Sequence, residues 1–262
     1  MSTKPLGTKG YGSIPHLPGS RLGPGEHTVH AGQARIATVA VRDKYDTVIV
    51  QEKLDGSNVA VLLKDGHLLP ITRAGYLAIT SPWEQHRYFY EFVTNQASRF
   101  RAVLQEGERL VGEWLMQAHS TRYEIDHTST LDMVFRPFDL MRDHQRTPYF
   151  EFQRRIAPGR FVSPQVVSFG PPHSTAWAMA KLDERPGNSH IRALDPVEGA
   201  VWRIERDVRK KDGSIRHEVD FLVKYVRPDK VDGVYLGDDV PVVWNVTPER
   251  LHAAFKQESE WL

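Results

Sequence analysis

An α+β chain, with strands joined by hairpins and a few amphipathic helices, is what this sequence predicts. Residues 46–80 read as strand, turn, strand, turn and strand. Residues 81–103 repeat apolar side chains at helical spacing, and residues 196–227 read as a long hairpin.

Taken in chain order, residues 1–30 are rich in Gly, Pro and His: "GTKGYGSIPHLPGSRLGPGEHTVH" ends that stretch. Such a composition suits a flexible arm. The embedded "YGSIPHLPGSR" instead offers Tyr11, Ile14, Leu17 and Arg21 as groups able to dock on a body. "DTVIVQE" has the β-branched density of a strand, through Val48, Ile49 and Val50. "LDGSN" has turn chemistry, and "NVAVLL" resumes as a strand. "KDG" at 64–66 turns the chain into "HLLPITR". The helix that follows is expected to have Ser81 as N-cap, Pro82 at its first position and Glu84 completing a capping box. Phe89, Phe92, Val93, Phe100 and Val103 recur on its inner face. "RLVGEWLM" (109–116) and "DMVFRPFDL" (132–140) read as strands, and "EFQRRIA" (151–157) begins a second helix. "PVEGAVWRIE" and "EVDFLVKYVR" form the long hairpin around the basic turn "RKKDGSIR". "TPERLHAAFKQESEWL" closes the chain as a helix. The expected division is an N-terminal arm (1–30), a main domain (31–230) and a short C-terminal extension (231–262).

Lysine and arginine number 34 against 33 acidic residues, a net charge of +1, so no global basic field recruits nucleic acid. A nucleic-acid partner must be held by a local patch. Cysteine is absent, which excludes disulfides, thiolate metal sites and a cysteine nucleophile. No stretch is long and apolar enough to span a membrane, and the N-terminus lacks the apolar region of a signal peptide. A cytoplasmic protein is expected. The histidines show no spacing that points to zinc.

Chemistry concentrates around "EKLDGSN" (52–58), where Lys53 ends an apolar run and a turn opens at once. Further along stand "ITRAG" with Arg73, "LVGEWL" with Glu113, "VFRPFDL" with Phe138 and Asp139, "VEGAVWRIE" with Glu198, and "FLVKYVR" with Lys224 and Arg227. Singly each is weak: a lysine before Asp-Gly is commonly a solvated turn, a strand glutamate an edge charge, and Phe138 a core residue. Their order and spacing are far more specific.

The set resembles the covalent nucleotidyltransferase superfamily of RNA ligases, DNA ligases and mRNA capping enzymes. Lys53-Leu54-Asp55-Gly56 matches its nucleophile motif, Arg73 the basic residue after it, Gly112-Glu113 the third motif, Phe138-Asp139-Leu140 the aromatic strand, Glu198-Gly199 the fourth motif and Lys224 the fifth. The fuller pattern looks most like the ATP-dependent RNA ligases, and "HLPGSR" at 16–21 is similar to a segment ahead of the nucleophile in some of them.

That resemblance implies an ATP-grasp-like nucleotidyltransferase fold, with antiparallel sheets flanked by helices. The stretch after Arg227 is too short for a C-terminal OB barrel, which argues against a DNA ligase or capping enzyme. It implies that Lys53 attacks the α-phosphate of ATP, that AMP passes to a 5′-phosphate, and that a 3′-hydroxyl then displaces AMP. Lys53, Asp55 and Lys224 are the implied catalytic residues. Glu52, Lys53, Gly56, Arg73, Glu113, Phe138, Glu198 and Lys224 are the implied nucleotide site, with Glu198 and Asp55 as ligands of Mg²⁺ or Mn²⁺. A lysine must lose its proton to attack, so burial at a strand end and positive charge from Lys224 are expected to free the amine. The implied partner is nucleic acid, RNA with 5′-phosphate and 3′-hydroxyl ends, with Arg21, Arg209, Lys210, Lys211, Arg216 and Arg227 as candidate contacts. Two alternatives stand beside it: a non-sealing protein that binds nucleic-acid ends with the same fold, and a DNA ligase. One departure is plain: two residues either side of Lys224 stand Leu222 and Val226, where the family often has a second lysine. Arg227 is the nearest substitute.

Overall fold

A strand whose middle is as apolar as Val48, Ile49 and Val50 needs cover on both faces, and it finds it in the middle of a sheet. The computed structural model describes residues 4–184, 187–188, 191–237 and 239–259. In chain order the strands are β1 (Asp46–Lys53), β2 (Ser57–Lys64), β3 (His67–Thr72), β4 (Glu108–Trp114), β5 (Tyr123–Ile125), β6 (Phe135–Arg142), β7 (Gln145–Arg146), β8 (Val166–Gly170), β9 (Gly187–Asn188), β10 (Ile191–Ala193), β11 (Gly199–Arg209) and β12 (Ile215–Val226). The helices are α1 (Ala31–Thr38), α2 (Glu84–Asn95), α3 (Ala97–Arg101), α4 (Thr130–Met133), α5 (Tyr149–Ile156), α6 (Thr175–Glu184) and α7 (Pro248–Ser259). The strands form sheets ordered β12-β11-β1-β8, β3-β2-β4-β6-β7 and β5-β10-β9, with every pairing antiparallel. The α+β class and the antiparallel sheets agree with the sequence.

Three local outcomes differ from the sequence reading. First, the turn read at "LDGSN" does not return the chain to the same sheet: "LDG" carries it from one large sheet to the other. Second, the helix expected from Ser81 begins at Glu84. Ser81, preceding a proline, stays extended (φ −70°, ψ 141°), as does Trp83. The Ser81 hydroxyl takes the Trp83 N–H at 3.2 Å instead of capping a helix. Third, the helix breaks at Gln96 before α3 resumes, although Phe89, Phe92, Val93, Phe100 and Val103 are all buried.

The two large sheets share one core, in which Val48, Val50, Val59, Val61, Leu110, Leu140 and Trp202 meet Phe89 and Phe92 of α2. Phe92 packs on Trp114 at 5.2 Å and on Phe100 at 6.0 Å between ring centroids. Truncating such a ring to alanine costs about 3–5 kcal/mol. The strand period of two sends Ala60, Val111 and Met141 to the opposite face of the five-stranded sheet. Residues from the N-terminal segment, Tyr11 with Leu6 and Ile14, cover that face. The same segment also lines the free edge of β12, where Leu17 N–H donates to the Lys224 carbonyl at 2.7 Å and Lys224 N–H to the Pro15 carbonyl at 3.0 Å. Beyond Val226 the described residues form α7 and one isolated bridge between Gln117 and Trp244, and no barrel. No helix among the described residues is long and apolar enough to cross a membrane.

Candidate functional site

Lys53 is the last residue of β1, at the point where the chain leaves the four-stranded sheet. Its partner across the ladder is Gly199. A Cβ on Gly199 would lie 1.8 Å from the Tyr225 carbonyl oxygen, so only glycine lets β11 and β12 close here. That closure sets Glu198 beside the amine, with Oε2 2.5 Å from Lys53 Nζ. Gly56 is constrained in the same way: a Cβ there would lie 2.5 Å from the Trp114 carbonyl oxygen. With no side chain in the way, the Gly56 N–H donates to Glu113 Oε1 at 3.1 Å. Asp55 between them accepts from the Ser120 N–H at 2.9 Å and lies 3.5 Å from the Lys230 amine.

Three carboxyl groups therefore surround one amine. Burial alone would push the Lys53 amine down, but Glu198 and Glu113 outweigh it and hold it above the ordinary lysine value. The structure thus reverses the expectation of a freed amine: Glu198 and Glu113 favour the protonated form of Lys53. The carboxyls move upward as well, burial being the leading cause. Glu113 rises to about 8 despite the Lys53 charge, and Glu198 is raised in the same direction. Glu113 and Glu198 therefore hold protons more readily than exposed carboxyl groups do.

These side chains open into one cleft of about 830 Å³ between the sheets, within the usual range for small-molecule sites. Lys53, Asp55, Gly56, Arg73, Glu113, Phe138, Glu198 and Lys224 all line it. Phe138 reaches it through a bulge: Val111 pairs with Asp139 and Gly112 with Pro137, which leaves Phe138 unpaired between them. A bulge re-aims a side chain and tolerates a proline. Phe138 meets Tyr11 edge-on at 5.3 Å, so the N-terminal segment forms part of the wall. Arg73 Nη2 reaches the Ser13 hydroxyl at 3.3 Å on the same side.

Lys224 projects from β12, where its backbone pairs with Val201, and its amine lies 2.6 Å from Glu26 Oε1. Burial and the neighbouring Lys53 charge lower its pKa, while Glu26 opposes them. Glu52 borders the cleft through β1. Its buried carboxyl is pushed up to about 7 by burial, against the charge of Arg136.

Other residues singled out from the sequence lie elsewhere. Arg227 pairs with Asp183 of α6 and does not line the cleft. Arg21 pairs with Asp232 at 2.5 Å, at the cleft's edge. Arg209, Lys210 and Lys211 are exposed at the hairpin tip, and Arg216 pairs with Glu218. Arg209 is about ten residues along β11 from Gly199, or about 33 Å at a strand's rise.

Four cleft or near-cleft residues escaped the sequence reading. Glu26 sits among Gly and Pro with no periodicity to mark it. Lys230 follows "VRPD" just after the fifth motif, a position its basic charge could have flagged. His119 and His86 line the cleft beside Ser57 and Ser81, and burial lowers both, His86 to about 4.

The RNA ligase family model matches residues 46–226, most of the chain. The chain belongs to the RNA ligase family. That span of the RNA ligase chain runs from the start of β1 to the end of β12 and holds Glu52, Asp55, Glu113 and Glu198 but neither Glu26 nor Asp232. Among solved structures it is similar to an archaeal ATP-dependent RNA ligase, with 15% identity, 83% of this chain and 48% of that one covered, and a TM-score of 0.45. It is similar to a Naegleria gruberi RNA ligase solved with ATP and Mn, with 15% identity, 70% and 50% covered, and a TM-score of 0.43. It is also similar to a putative ATP-dependent DNA ligase from Aquifex aeolicus, with 13% identity, 83% and 49% covered, and a TM-score of 0.45. The chain spans about half the length of these proteins. No curated protein matches it.

Proposed function

We propose that this RNA ligase family member is an ATP-dependent enzyme that joins RNA 5′-phosphate and 3′-hydroxyl ends through a Lys53–AMP intermediate. The observation that carries the reading is the Lys53–Glu198 pair, 2.5 Å apart at the floor of a nucleotide-sized cleft.

Lys53 Nζ forms a bond to the α-phosphorus of ATP, the bond to the β-phosphate oxygen breaks, and pyrophosphate leaves with the electron pair. The proton on Nζ needs an acceptor, and the nearest is Glu198 Oε2, which burial makes more basic than an ordinary carboxylate. A 5′-phosphate oxygen of the RNA then takes the adenylate from Lys53, and the amine regains a proton. Finally a 3′-hydroxyl attacks the 5′ phosphorus and AMP departs. Phosphoryl transfer rests on positioning and charge. Lys224 and Arg73 bring positive charge to the phosphates, Phe138 offers its ring to adenine, and Glu113 offers Oε2 to a ribose hydroxyl.

Among the described residues no three His, Asp or Glu side chains form a preformed metal cage. Mg²⁺ or Mn²⁺ suits the donors present nonetheless, because such ions accept one or two carboxylates and fill the rest with phosphate oxygens and water. Glu198 and Asp55 would hold it, and when bound it draws negative charge from the α-phosphate.

Incubation with α-labelled ATP and Mg²⁺ or Mn²⁺ tests the reading. One acid-labile AMP per chain is expected, absent in Lys53→Ala, with GTP a poor substitute. An adduct without sealing of nicked RNA would indicate an end-binding protein, and preferential sealing of DNA 3′-hydroxyl ends a DNA ligase. No adduct with either metal defeats the enzymatic reading.

A further inference from the structure

The N-terminal "HLPGSR" segment has no part in the chemistry above and does not line the cleft, yet it runs along β12 beside Lys224, which does. Residues 15–29 fold back on themselves through His16 N–H to the His27 carbonyl (2.9 Å) and Val29 N–H to the His16 carbonyl (2.8 Å). This brings Glu26 against His16, which is 1% exposed: His16 Nε2 lies 2.9 Å from Glu26 Oε2. The other carboxylate oxygen lies 2.6 Å from Lys224 Nζ. On its far side His16 Nδ1 is 2.7 Å from the Ser20 hydroxyl, which accepts the Val226 N–H at 2.9 Å.

Glu26 thus sits between the His16 ring and the Lys224 ammonium. Glu26 accepts from the Lys224 ammonium, while the neutral His16 ring backs the carboxylate by contact, its Nε2 close to Glu26 Oε2 without an aligned hydrogen bond. Burial, the leading influence on His16, favours that neutral ring. The backbone fixes the same region, since the segment bonds to β12 at Lys224 itself and again where Arg21 N–H donates to the Val226 carbonyl at 3.0 Å.

We propose that Glu26, backed by His16, is a positioning residue for the Lys224 ammonium, so that the N-terminal segment completes the phosphate-binding side of the cleft. The proposal rests on the ATP-dependent reading above. Lys224 is half-buried and faces Glu26 and His16 from the segment, Lys53 from β1 and Glu198 ahead of β11, while its own strand offers only Leu222 and Val226. Burial and Lys53 both disfavour its charge, and Glu26 opposes them with a direct contact. That contact, on a carboxylate that also abuts His16, fixes where the ammonium stands.

The test is the rate of AMP adduct formation by the full chain with α-labelled ATP, from pH 6 to 10. Glu26→Gln keeps the shape and removes the charge. Lys224 then deprotonates more readily, so the alkaline limb of the profile should move down by about one pH unit, with ATP KM rising about tenfold. Glu26→Asp should return the limb most of the way. His16→Gln, which keeps the carboxylate and removes its backing, should move the limb less in the same direction. This second variant decides the matter if Glu26→Gln lacks a cooperative unfolding transition. A lowered plateau with the limb unmoved in both variants would mean a merely structural contact and overturn the proposal. Faster adenylation in Glu26→Gln would also overturn it, because Glu26 would then be an obstacle to the phosphates. Failure of the wild-type chain to form any adduct strikes the underlying reading first, and the proposal falls with it.

Discussion

Asp139 sets the largest wager on stability. It stands next to Phe138, is 0% exposed, and accepts from three groups: Tyr11 Oη at 2.6 Å, Arg203 Nη1 at 2.6 Å and Arg146 Nε at 3.0 Å. Burial, and then Asp139 itself, raises the Tyr11 phenol and keeps it a donor. Asp139→Ala would strand Arg203 in the core and Arg146 at its margin. Removing one partner of a buried ion pair costs about 3–5 kcal/mol. Arg203 retains Glu205 Oε1 at 2.6 Å and the Thr147 carbonyl at 2.5 Å, which pulls the ionic part toward the low end. The lost Tyr11 bond adds about 1 kcal/mol. The expected loss is therefore about 4 kcal/mol, or about 8–16 °C in Tm at this chain length. Urea unfolding followed by tryptophan fluorescence measures it, with Trp202 buried one residue from Arg203. Because Tyr11 is released too, the segment over the cleft should loosen, and Phe138 should become more accessible. Asp139→Leu combined with Arg203→Met should not recover the loss, since it takes Arg203 from the buried Glu205 and leaves Arg146 without Asp139. A loss below about 1 kcal/mol for Asp139→Ala would refute this account, because the guanidinium groups would then have other means of satisfaction. So would strict additivity of the single changes, as groups in direct contact couple.

Three further outcomes are expected. Glu198→Ala should slow adduct formation and sealing together, by about 100-fold as for a lost general base, in a single-turnover assay; intact rates would show that Nζ gives its proton elsewhere. Phe138→Ala should weaken ATP binding by about 1–3 kcal/mol, roughly 5- to 150-fold, by calorimetry in a Lys53→Ala background; unchanged affinity would mean the bulge does not serve the base. Glu26 should also show in acid stability. Although burial opposes it, the Lys224 and Gly23 N–H contacts hold its carboxyl at about 2, against an ordinary 4.5. Its folded pKa is depressed, so its contribution is present above about 4.5 and lost as pH falls toward 2. Between pH 6 and pH 3 the urea midpoint of the wild-type chain should fall further than that of Glu26→Gln, and equal falls would count against the pair.

Local chemistry was written in the sequence. Short apolar, β-branched runs announced β1, β2 and β11, Asp65 and Gly66 announced a turn in which both residues take positive φ, and motif order singled out Lys53, Glu113, Glu198 and Lys224. Those signals survive without a structure because strand composition, turn geometry and covalent order are properties of short stretches. The glycines of the motifs were legible as a pattern but not as a cause. The cause is the approach of Trp114 and Tyr225 backbones from distant strands. The helix start was misread because Trp83 stays extended, which leaves Ser81 three residues ahead of the first helical residue. Three facts belonged to the tertiary structure alone: that "LDG" crosses between sheets, that Glu26 meets Lys224 across 198 residues of chain, and that three carboxyl groups favour the protonated Lys53 amine. Electrostatics at a buried site depends on every charge that packing brings within a few ångströms, and no linear pattern records which those are.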